Sequence, residues 1–182
     1  VGDNGAIVHY DGQSWSLMSS AIEVDLWGIW GASSTDIYAV GDNGTILRYD
    51  GQIWRGIESR TYNRLNGVWG ASPSSIYAVG SRGTILHYDG RAWSAMPTGT
   101  DENLWAVWGA SDSDIYVVGR NGIILHYDGR SWNQMSSGTN KFLTGIQGFS
   151  PTDIYVAGEA GTMLHYDGRS WSRMSGTDNW LY

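Results

Sequence analysis

A 39-residue period governs this chain. Trp15, Trp54, Trp93, Trp132 and Trp171 fall at constant spacing, and each closes a Tyr-Asp-Gly-x-x-Trp string, beginning at Tyr10, Tyr49, Tyr88, Tyr127 and Tyr166. Self-similarity at this period restricts the fold to a solenoid, a propeller or an array. It restricts the chemistry as well, because a residue present in every copy is needed by the scaffold whatever the protein does.

Overlaid from Asp25, Arg64, Asn103 and Phe142, the copies resolve into four short segments rich in β-branched and aromatic residues. The first is of the type Leu-Trp-Gly-Val-Trp-Gly and is ended by Gly-Ala-Ser. The second is Asp-Ile-Tyr-Ala-Val-Gly. The third, Thr-Ile-Leu-His-Tyr, runs into Asp-Gly, a strong hairpin signal. The fourth starts at the invariant Trp. No window shows a 3.6-residue period. Four hairpin-linked strands in about 40 residues make one propeller blade, and the apolar second and third segments suit strands buried on both faces. A β-solenoid is the rival, but its coils are shorter and lack two hairpin turns per period. The expectation is an all-β fold, a β-propeller of four-stranded antiparallel blades, with about five blades' worth of chain in one domain over 1–182.

The repeat register places Val1-Gly2 on Val40-Gly41 and Leu181-Tyr182 on Leu104-Trp105. One blade is therefore expected to be split and incomplete, with residues 1–24 and 179–182 as its parts. Either a longer propeller or a second copy of the chain would supply the remainder.

Composition narrows the partners. The net charge is −7, with ten Arg and the single Lys141 and no basic run, so the clustered cations that bind nucleic acid are lacking. No apolar stretch reaches the 18 or so residues of a membrane span. Cys is absent, which removes disulfides and thiolate metal sites. Few Lys with many Ser, Gly, Trp and Tyr lean towards an exported protein.

Three columns bear on function. The Asp of the turn (Asp11, Asp50, Asp89, Asp128, Asp167) suits a scaffold role, since Asp accepts from turn amides and Gly takes positive φ. A second column holds His9, Arg48, His87, His126 and His165. Tolerance of Arg argues against dry core, so the column either hydrogen-bonds a neighbouring turn or contacts a ligand. Successive His lie on different blades, which disfavours a metal. The third column is Trp27, Asn66, Trp105 and Thr144 in the first segment; exchange of Trp for Asn and Thr is behaviour of an accessible position. Trp30, Trp69 and Trp108, with Gln147 in the fourth copy, suit packing. No asymmetric set with differentiated roles suggests catalysis, and no cofactor is implied.

The string WGASPSSIYAVGSRGTILHYDGRAW resembles the blade unit of highly repetitive bacterial β-propellers, and the resemblance covers essentially the whole chain. The Asp-Gly-x-x-Trp turn is similar, one residue out of register, to the Asp-box of neuraminidase-type propellers and to turns of fucose-binding propeller lectins. The resemblance implies an exported or surface protein of a bacterium, specific for blade type and not for activity. The expectation is a non-catalytic binding or scaffold propeller, with a multivalent glycan-binding module as its leading form and Trp27, Trp105 and the His/Arg column as sugar contacts. A structural or protein-interaction propeller is the alternative, favoured if the divergent segment from Arg55 to Asn63 shares one rim with other variable turns. A sialidase-type hydrolase comes third.

Overall fold

In the computed structural model, which describes residues 1–174, the chain forms eighteen strands in five antiparallel sheets. A two-stranded hairpin, β1 (Ile7–Tyr10) and β2 (Trp15–Met18), comes first. Four blades follow, each a meander in sequence order. The first is β3 (Leu26–Ser33), β4 (Asp36–Gly41), β5 (Ile46–Tyr49) and β6 (Trp54–Ile57). The second is β7 (Leu65–Ser72), β8 (Ser75–Gly80), β9 (Ile85–Tyr88) and β10 (Trp93–Met96). The third is β11 (Leu104–Ser111), β12 (Asp114–Gly119), β13 (Ile124–Tyr127) and β14 (Trp132–Met135). The fourth is β15 (Leu143–Ser150), β16 (Asp153–Gly158), β17 (Thr162–Tyr166) and β18 (Trp171–Arg173). Consecutive blades stack through their first strands, β3 on β7, β7 on β11 and β11 on β15. The segment 179–182, expected to open the split blade, lies outside the described residues.

The repeat makes every blade interface alike. Tyr38, Val40 and Ile46 of one blade pack on Leu65, Val68, Ile76, Ala78, Leu86 and Trp93 of the next. The same positions recur as Tyr77, Val79 and Ile85 against Leu104, Ile115, Val117, Leu125 and Trp132. Each large apolar side chain buried this way contributes about 1.5–3 kcal/mol. The hairpin joins through Ile7 against Leu26, Ala39, Leu47 and Trp54. On its outer face Trp15 is 69% exposed, whereas the equivalent Trp93 is 1% exposed.

The closest approach between blades is an indole against a glycine. A Cβ on Gly70 would stand 2.6 Å from the ring of Trp30, one on Gly109 2.6 Å from Trp69, and one on Gly148 2.3 Å from Trp108. The column expected to pack thus does so as a knob into the next blade. Gln147 takes the Trp position in the fourth blade.

The first strands differ from expectation in one respect. They continue through Gly-Ala-Ser instead of ending there, because each carries two register shifts. In β3 the ladder skips between Leu26 and Gly28 and again between Gly31 and Ser33, and β7, β11 and β15 repeat both shifts. An extra residue at each shift is a β-bulge, which sharpens the local bend and re-aims a side chain.

The Asp-Gly turns are self-contained. In Asp89, Oδ1 accepts from the N–H of Arg91 and of Ala92, both at 2.9 Å, and the same pair of bonds recurs at Asp11, Asp50, Asp128 and Asp167. These N–H donors favour the charged form and hold each carboxyl below the usual carboxylate range.

Gly109→Ala is expected to destabilise the chain by about 1–3 kcal/mol through overpacking against Trp69. Gly145→Ala, where a Cβ meets nothing within 4 Å, should stay within about 0.5 kcal/mol. Denaturant unfolding of the two variants checks the difference.

Candidate functional site

Connectivity sorts the loops onto two rims. The first-to-second-strand hairpins and the Asp-Gly turns share one rim, where Gly51 abuts Thr35 and Gly90 abuts Ser74. The second-to-third-strand turns and the connections between blades share the other, where Gly44 abuts the carbonyl of Thr61 and Gly83 that of Thr100. The segment from Arg55 to Asn63 leaves β6 onto this second rim together with the variable turns at Asp42–Gly44, Ser81–Gly83 and Arg120–Gly122. Tyr62 is its most exposed large side chain, at 92%.

The first bulge of each blade lies beside this rim. Its extra residue is Trp27, Asn66, Trp105 or Thr144, so the accessible column inferred from the sequence is the bulge column. All four residues line one shallow hollow of about 330 Å³ where the first strands converge, floored by Gly28, Gly67 and Ala106. The convergence is tight because a Cβ on Gly67 would stand 2.8 Å from the carbonyl oxygen of Trp105. Asn66, buried at 5% exposure, donates from Nδ2 to the Leu104 carbonyl at 2.7 Å, while its Oδ1 has no partner.

The rings and cations here form an alternating run. The indole N–H of Trp27 donates to Asp42 at 2.9 Å. Trp27 and Trp105, from blades two repeats apart, lie 6.3 Å between centroids. The guanidinium of Arg64 sits over both, 4.6 Å from one ring and 5.3 Å from the other. Phe142 meets Trp105 edge-on at 5.0 Å, and Arg120 lies 5.5 Å over Phe142. Such contacts contribute about 0.5–2 kcal/mol each.

The His/Arg column stands elsewhere, two strands removed from the bulges and towards the opposite rim. Arg48 Nε donates to Asp36 at 2.6 Å, His126 Nε2 lies 2.7 Å from Asp114, His165 Nε2 lies 2.8 Å from Asp153, and His87 Nε2 lies 3.2 Å from the Ser75 hydroxyl. Each also stacks on the cross-strand tyrosine, at 4.4–4.6 Å for the histidines, with Arg48 5.6 Å over Tyr38. The column therefore latches the third strand to the start of the second. His9, in the hairpin, is exposed. Burial pushes the His87 imidazole below its ordinary pKa, and burial likewise raises Tyr38 to about 12.

The structure thus joins Trp27 and Trp105 in one hollow and separates them from His9, Arg48, His87, His126 and His165. Sequence reasoning passed over Arg64, Asp42, Phe142 and Arg120. The signal available was the column Asp25, Arg64, Asn103 and Phe142, which varies beside the bulge column.

No protein-family model and no curated protein sequence matches the chain. Solved structures do. YCF48 from Cyanidioschyzon merolae is 15% identical with a TM-score of 0.73, over 98% of this chain and 69% of that one. The outer coat vertex of COPII on membranes is 13% identical with a TM-score of 0.73, over 94% of this chain and 55% of that one. A structure of YCF48 bound to D1 peptide matches at 15% identity and a TM-score of 0.49, over 98% and 77%. At these identities the likeness is one of fold, and the chain has the β-propeller architecture.

Replacing Arg48 by Ala is expected to cost about 1 kcal/mol, since the pair with Asp36 is partly exposed. Urea unfolding measures the loss, and an unchanged midpoint would show that the latch contributes nothing.

Proposed function

We propose that this chain is a non-catalytic, protein-interaction propeller that engages a polypeptide partner on the rim of the bulge column. The observation that carries it is the gathering of Trp27, Tyr62, Arg64, Trp105, Arg120 and Phe142 on one rim, while the opposite rim keeps its Tyr-Asp-Gly turn in every blade. Trp, Tyr and Arg are the side chains that dominate binding energy at protein interfaces. Four blades supply one hollow through Trp27, Asn66, Trp105 and Thr144, three residue types at one repeat position, so the site is asymmetric although the scaffold is not.

A lectin function draws less support from the same geometry. Sugar stacking needs an open aromatic face, and Arg64 lies over both Trp27 and Trp105. The His/Arg column, offered as its hydroxyl contacts, is engaged by Asp36, Asp114, Asp153 and Ser75.

Selection from a displayed peptide library tests the proposal. Selected peptides should lose at least tenfold in affinity for the Trp27→Ala/Trp105→Ala variant and be unaffected by Phe149→Ala at the opposite rim. A glycan-array signal abolished by the double variant, with silence from the peptides, would contradict it.

A further inference from the structure

The rim contains a cation whose hydrogen-bonding capacity is unspent. The Arg64 guanidinium carbon lies 4.6 Å from the ring centre of Trp27 and 5.3 Å from that of Trp105. Neither ring offers its N–H donors an oxygen acceptor. Among the described residues none accepts from them: Nε has no hydrogen-bond partner, and the Asp42 carboxylate stands 3.9 Å away. Asp42 instead accepts from the Trp27 indole, Asp25 accepts from the Asn4 backbone N–H, and Glu102 accepts from the Asn121 amide at 2.9 Å. Arg120 repeats the arrangement on Phe142, with no carboxylate partner among the described residues.

Arg48 and Arg55 show the contrast. Both donate to carboxylates of their own blade, Asp36 at 2.6 Å and Asp50 at 3.2 Å. The chain carries many acids and few bases, yet Asp42, the carboxylate 3.9 Å from Arg64, is capped by the neutral Trp27 indole.

Resting on the protein-interaction reading above, we propose that the hollow recognises an extended polypeptide segment through an Asp or Glu side chain, whose carboxylate takes the fork of Arg64 in a bidentate contact. The occupant is acidic because Arg64, set over two of the rings that line the hollow, is a cation with unmet donors. It is a carboxylate because its two oxygens match the planar fork. Contact with the two rings restrains the guanidinium before the ligand arrives, which reduces the ordering cost of binding. Arg120 is placed to receive a second acidic side chain of the same segment.

An array of nine-residue peptides with amidated C-termini, each acidic member paired with its Asn or Gln counterpart, provides the test. The intact chain should bind acidic members about tenfold more tightly than their amide counterparts. Arg64→Lys, which keeps charge and loses the fork, should lose most of that preference, and Arg64→Ala all of it. An unchanged unfolding midpoint for Arg64→Lys separates this from loss of fold. Equal binding of acid and amide members, or a preference that survives in Arg64→Ala, overturns the proposal. So does binding that appears only with a free C-terminus. Peptides bound through Trp27 and Trp105 without acid preference would sink this inference and leave the protein-interaction function standing. No peptide bound at all would sink both.

Discussion

The rim depends on how closely one first strand approaches the next, and an indole seated on a glycine sets that distance. Trp30, Trp69 and Trp108 reach into the space over Gly70, Gly109 and Gly148, where no Cβ could stand. With this contact repeated at each blade, the second and third strands bury Tyr, Val and Ile against the next sheet, and Trp27 and Trp105 come within 6.3 Å across an intervening blade. A larger side chain at the glycine would separate the strands and open the hollow. The scaffold and the site are linked through packing.

The bulge is the device that divides labour along a single strand. On either side of it, residues obey the pleat and belong to the core: Leu26 is buried and Trp30 reaches the next blade. At the bulge the ladder skips a residue and the side chain escapes the alternation. The position can therefore hold Trp in two copies, Asn66 in the second and Thr144 in the fourth without disturbing the interfaces. The exchange of Trp for Asn66 and Thr144 gives the hollow its asymmetry, and Arg64 and Arg120 set cations on the rings beside it.

Much of the fold was legible in the sequence. Period, turn chemistry and the invariant Trp indicate strand number and order; tolerance of Asn and Thr suggests an accessible column, which holds for Trp27 and Thr144 but not for Asn66, buried by its bond to Leu104. What was not legible has physical reasons. A bulge leaves no mark in a pattern of apolar residues, so the first strand was ended too early at Gly-Ala-Ser. For the His/Arg column the sequence leaves two readings, a hydrogen bond to a neighbouring turn or a ligand contact; the partners Asp36, Asp114, Asp153 and Ser75 lie one strand away, a pairing set by hairpin register. Variation in its column marks Arg64, but its partners, Trp27 and Trp105, are brought to it only by the stacking of three blades.

The central claim is that stability resides where the repeat holds and recognition where it fails. A single-site variant library scored twice, once for folding and once for binding of a selected peptide, tests it most directly. The account predicts that folding-sensitive positions recur every 39 residues, at the interface Trp, Gly, Leu and Ile, while variants that lose binding and keep the fold concentrate at Trp27, Asn66, Trp105, Thr144, Arg64 and the connections of the same rim. Binding losses spread over the Asp-Gly turns and the opposite rim would contradict it.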